Sequence, residues 1–70
     1  MTAQPIHYLR TRQHYDNAPV GTRVAAQGFP DGWFWEKVTR HAWRWADGLF
    51  LHNIDLGGGK RRILRWGLPA

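Results

Sequence analysis

Neither cysteine nor serine occurs in this 70-residue chain. The lack of cysteine excludes disulfides and thiolate zinc sites. The lack of both removes the commonest nucleophiles of covalent catalysis. Acidic residues are few: Asp16, Asp31, Glu36, Asp47 and Asp55. Asp31, Asp47 and Asp55 stand at or beside turn glycines, where aspartate closes local turns. The four histidines, His7, His14, His41 and His52, match no zinc-motif spacing. "GGGK" at 57–60 lacks the glycine and the hydroxyl residue of a phosphate loop, since Ile54 and Arg61 hold those positions. The chain therefore reads as a binding module, not an enzyme, with no metal and no cofactor.

Long apolar runs are lacking too. No window approaches a membrane span, and "MTAQPIHYLRTRQ" has no signal-like apolar stretch, with Pro5 interrupting it. Thr2 stands where a myristoylated glycine would, and "WGLPA" carries no prenylated cysteine. The expectation is a soluble, cytoplasmic protein without membrane attachment.

What the chain does have is tryptophan and arginine. Five tryptophans occur, four of them within Gly32 to Trp45, "GWFWEKVTRHAWRW". So short a chain buries little surface and folds marginally, and large aromatics are its available remedy, each burying roughly 150–250 Å². Ten Lys and Arg, eight of them Arg, oppose five Asp and Glu, for a net charge of +5. Such an excess suits an anionic partner, although a merely solubilising surface has the same composition.

Turn signals recur at short intervals: "DNAPVG", "QGFPDG", "ADG" and "GGG". Short runs rich in Val, Ile, Trp and Phe lie between them, the pattern of a small all-β domain. Strands are expected at 21–26, 33–39, 49–56 and 61–68. Ala42 to Trp45 is a further strand or the start of the third. Residues 6–12 form an edge strand or a short helix. The domain proper is 21–70, and 1–20 is an N-terminal arm or edge element. Val24, Phe34, Val38, Trp43, Leu51 and Trp66 are the expected core.

Side-chain alternation makes the length of the turn after the second strand decisive, an even length setting Val38 opposite Trp43. An even-length turn collects Phe34, Val38, Trp43 and Trp45 on an apolar face, opposite a mixed face of Trp33, Trp35, Lys37 and Arg44. An odd-length turn puts Trp43 and Trp45 beside Trp35 and Lys37. The even register is preferred, because its mixed face resembles a contact surface.

"VGTRVAA", "DGWFWEKV" and "LFLHNIDLGGG" together resemble the layout of SH3-like barrels, Tudor domains in particular, at Gly21, Val24, Ala26, Asp31, Gly32, Phe34, Trp35, Val38, Asp55 and Gly57. The resemblance covers about half the chain and implies a small barrel of four to five antiparallel strands. Leu56 stands where Tudor domains place an aromatic between Asp and Gly, so a cage for a methylated cation would be incomplete. "APVGTRV" and "WEKVTRHAW" also resemble small orphan proteins of actinobacterial phages, which suggests an origin and no activity.

The expected binding surface interleaves basic and aromatic residues: Trp33, Trp35, Lys37, Arg44, Lys60, Arg61, Arg62 and Arg65. Basic groups contact phosphates and exposed aromatics stack on unpaired bases. Nucleic acid, single-stranded by preference, is the expected partner. An acidic host protein, met by a phage-type adaptor or inhibitor through the same surface, is the alternative, since Trp and Arg also dominate protein interfaces. Monomer and homodimer are both compatible with the sequence.

Overall fold

In a computed structural model, residues 4, 6–30, 32–56 and 59–68 are described. Six strands form one antiparallel sheet: β1 (Tyr8–Leu9), β2 (Arg23–Ala25), β3 (Phe34–Lys37), β4 (Ala42–Trp45), β5 (Phe50–His52) and β6 (Arg61–Arg65). Two short helices interrupt them, α1 (Arg12–Asn17) and α2 (Asn53–Leu56). The spatial order is β1-β6-β2-β3-β4-β5. The run β2 to β5 is thus a meander, and β6 returns to lie beside β2. The all-β expectation holds. The sheet has six strands, more than expected, and is open, with β1 and β5 at its edges.

Helix α1 begins at Thr11, whose hydroxyl accepts from the His14 amide at 3.3 Å. It stops at Ala18, which is extended because the following Pro19 disfavours helical geometry there. Six residues are too few for a helix to persist alone, so tertiary contacts hold it. Tyr15 supplies the main one. Its ring meets Trp43 edge to face at 5.8 Å, and its hydroxyl donates to the Gly59 carbonyl at 2.6 Å.

The core consists of Leu9, Tyr15, Ala18, Val24, Trp43 and Leu56, with Trp35, Leu51, Ile63 and Trp66 packed against it. Leu9, Tyr15 and Ala18 come from the first twenty residues, so that segment supplies part of the core. The 49–56 run is a strand only as far as His52. Asn53 to Leu56 turn into a helix, and the buried Asn53 accepts from Trp43 Nε1 at 2.7 Å.

The hairpin register corrects the sequence reading. Trp35 pairs with Trp45, Glu36 with Arg44 and Lys37 with Trp43. The Val38 amide donates to the Ala42 carbonyl, which leaves Thr39, Arg40 and His41 as an odd-length turn. Trp35, Lys37, Trp43 and Trp45 therefore share the core side. Phe34, Glu36 and Arg44 face outward, and Phe34 and Val38 are half-buried outside the core cluster. Lys37 is the physical reason this register is tolerated. Its Nζ crosses to α1 and donates to the Tyr15 and Asp16 carbonyls at 2.7 and 3.0 Å. There it satisfies the carbonyls that a helix end leaves unpaired.

Candidate nucleic-acid interface

The pairing that buries Val24, Trp35, Trp43 and Ile63 turns the alternate residues outward. Arg23 lies opposite Glu36, Ala25 opposite Phe34 and Arg44 opposite Phe50. At the other end Tyr8 lies opposite Arg62. An irregularity between Arg23 and Val24 lets β6 present both Leu64 and Arg65 beside β2. Bulges of this kind re-aim side chains. Here the result is an open cavity of about 370 Å³ lined by Arg23, Phe34, Leu64 and Arg65.

Charge on this face is arranged by a few specific contacts. Arg23 Nε donates to Glu36 Oε1 at 2.9 Å, and its guanidinium lies 4.4 Å from the centre of the Phe34 ring. A guanidinium held over an aromatic face is favoured by the ring quadrupole. Arg23 and Arg65 are directly opposite, a pairing that like charges oppose. Arg65 avoids it by turning its Nε and Nη2 onto the Gly21 carbonyl at 3.1 and 2.8 Å, with Nε also on Gly67. Lys60 Nζ sits 4.3 Å from the Tyr8 ring centre, and Arg10 approaches the same ring at 5.7 Å. Arg44 is exposed, as is Phe50 at 58%. Among the strand residues Glu36 is the single acid, and Arg23 already engages it.

The residues expected from sequence are divided among three places. Arg44, Lys60 and Arg62 lie exposed on the outward side. Trp33 and Trp35 do not join them. Trp35 packs on the core, 4.8 Å from Trp45, and Trp33, 45% exposed, stacks on Trp45 at 6.1 Å. With Phe29 they make an aromatic cluster on the other side of the sheet. Lys37 is 1% exposed, and burial lowers its pKa, an effect that Asp16 opposes and Arg40 reinforces. Arg61 is tied inward, its Nη1 donating to the Leu56 carbonyl at 2.7 Å and to the Tyr15 hydroxyl at 3.0 Å.

No family model, no curated protein and no solved structure matches this chain. The outward face therefore has to be read from its own chemistry. Sequence reasoning missed four of its members: Tyr8, Arg23, Phe34 and Phe50. Arg23 was legible, since it alternates with the buried Val24 in "TRVA". Phe34 and Phe50 follow only once the odd-length turn is known, and Tyr8 only once β1 is placed beside β6. Among the described residues, no group of three or more His, Asp or Glu is placed to hold a metal ion, and no helix is long and apolar enough to cross a membrane.

Proposed function

We propose that the protein binds single-stranded nucleic acid on the outward face of its sheet. One observation carries this reading: Arg23, Arg44, Arg62 and Lys60 alternate on that face with Tyr8, Phe34 and Phe50, and the face holds an open, partly apolar cavity lined by Arg23, Phe34, Leu64 and Arg65. Guanidinium groups meet phosphates bidentately. Aromatic faces accept unpaired bases at about 1–3 kcal/mol each, whatever the base. The cavity beside Phe34 suits a planar group resting on apolar surface with a cation at its edge. A duplex would engage the charges and leave Phe34 and Phe50 unused. The SH3-like layout and a cytoplasmic site of action belong to the same proposal, and neither is needed for the binding argument.

Fluorescence anisotropy with one labelled sequence, as single strand and as duplex, tests the reading. The single strand binds more tightly, and its affinity falls linearly with salt on logarithmic axes. Arg44→Ala and Lys60→Ala each make that slope shallower by about one. Phe50→Ala weakens the single strand more than the duplex. Absence of binding to DNA and RNA at low salt overturns the proposal.

A second reading, a phage-type adaptor or inhibitor acting on a host protein, is favoured by a different surface. Phe29, Trp33 and Leu49 are each close to half exposed or more, and rigid aromatic area of this kind anchors protein interfaces. Binding of one protein partner that is lost in Trp33→Ala and kept in Arg44→Ala would support it.

A further inference from the structure

Away from the outward face, α1, the β3–β4 turn and α2 enclose a polar cleft. Two adjoining cavities, of about 320 and 150 Å³, share Arg12, Asp16, His41 and Asn53. Asn17 and Arg40 complete the larger, and His52 and Ile54 the smaller. We propose that this cleft is a phosphate site, taking a phosphomonoester dianion from a strand terminus or from a free nucleotide.

The argument begins with charge. Arg12 and Arg40 line the cleft, and Lys37 lies behind it, close enough to Asp16 and Arg40 for its charge to act on both. Against these three cations stands one lining carboxylate, Asp16, in a long and exposed contact with Arg12 at 3.7 Å. Such a contact contributes little and holds the guanidinium loosely. The nearby Asp55 carboxylate is turned onto the His52 backbone amide at 3.0 Å. The remaining positive excess is what a dianion would balance, and a cation would be repelled.

Donors come next. The Arg40 guanidinium, the His41 and His52 rings and the Asn17 amide make no hydrogen bond or ion pair among the described residues. The main chain that carries Arg40 and His41 is nevertheless fixed. Asn53 is buried and joins three elements, accepting from Trp43 Nε1 at 2.7 Å and donating to the Arg40 carbonyl at 3.1 Å, while its own amide donates to the His41 carbonyl. An anchored main chain confines the ordering cost of gripping a phosphate to the side chains themselves, and an arginine fork matches two of its oxygens.

The test is a titration with inorganic phosphate, then with adenosine monophosphate, following the ring-proton NMR signals of His41 and His52. Both signals move saturably, and Arg40→Ala weakens binding about tenfold, the loss expected for charge-assisted hydrogen bonds. His41→Ala, which leaves the turn backbone in place, also weakens it, and Phe50→Ala has no effect. Circular dichroism confirms that each variant is folded. A terminally phosphorylated oligonucleotide that outcompetes its hydroxyl counterpart, with the advantage lost in Arg40→Ala, identifies a strand end as the source. Equal binding of the two oligonucleotides, with phosphate and nucleotide still saturating, identifies the free nucleotide. Signals that fail to saturate, or saturation unchanged in both Arg40→Ala and His41→Ala, overturn the proposal. Failure of oligonucleotide binding with phosphate binding intact would remove the function proposed for the sheet face and leave this site standing.

Discussion

Lys37 brings an ammonium group into the packed side of the sheet, 5.7 Å from the Trp43 ring centre and bonded to two carbonyls of α1. Lys37→Ala removes that cap and leaves a void. We expect a loss of about 2–5 kcal/mol, the range for truncating a long buried side chain. Lys37→Met fills the space and leaves the carbonyls unpaired, so its stability should fall between the two. Denaturant melts of the three proteins check that order. Alkaline titration separates Lys37 from its neighbour Tyr15. Burial lowers the Lys37 pKa in the folded protein, so between that lowered value and the ordinary lysine value the unfolded chain binds more protons, and this group's contribution makes stability rise with pH. Burial raises the Tyr15 pKa, with Arg61 opposing. Above the ordinary tyrosine value of about 10 the folded state then holds the extra proton, and stability falls. Tyr15→Phe should flatten that alkaline fall, and Lys37→Met should remove the rise below it. A Tyr15→Phe melt as steeply pH-dependent as the parent's would assign the fall to another group.

The β3–β4 hairpin decides which side chains the sheet hides, and its register depends on the turn Thr39–Arg40–His41. Deleting Arg40 makes the turn even-length and drives Trp43 outward, so a cooperative thermal melt should disappear. Arg40→Gly keeps the register and should melt close to the parent. A cooperative melt in the deletion variant would mean that the strands can re-pair elsewhere. Strand positions were readable in the sequence because β-branched and aromatic runs alternate with glycine turns. The face assignment was not, because lysine ordinarily marks solvent, and only the partner helix makes Lys37 a core residue. The Asn53–Leu56 helix was equally hidden, since "NIDL" continues an apolar strand pattern and is turned by the Asn53 bonds to Trp43 and the β3–β4 turn. At the entry to β2, Gly21 adopts φ +96°, and a Cβ there would lie 2.7 Å from the Leu68 backbone nitrogen. Gly21→Ala therefore combines backbone strain with a contact that cannot simply rotate away. It should lower the melting temperature more than Gly48→Ala, whose φ is also positive but which has open space around it.

A net charge of +5 on a fold whose Cα radius of gyration is 10.6 Å places every cation within reach of the others at low salt, where the screening length is about 30 Å at 0.01 M and about 8 Å at 0.15 M. Self-repulsion then opposes compactness. The ion pairs Arg12–Asp16 and Arg23–Glu36 offset part of it, but the exposed Arg12–Asp16 pair contributes little and is itself screened. Added salt over this range should therefore raise the melting temperature of the free protein. The same addition should weaken an oligonucleotide, because phosphates neutralised on Arg44, Lys60 and their neighbours release counterions when bound. The two responses have opposite signs, which gives the binding experiment an internal control: affinity lost to salt cannot then come from a protein that is unfolding. Parallel melting and anisotropy series across that range would check both. A melting temperature that falls with salt would show that the ion pairs outweigh the repulsion. An affinity indifferent to salt would rule out phosphate contacts as its main source and shift attention to the exposed Phe29 and Trp33 rings on the opposite side of the sheet.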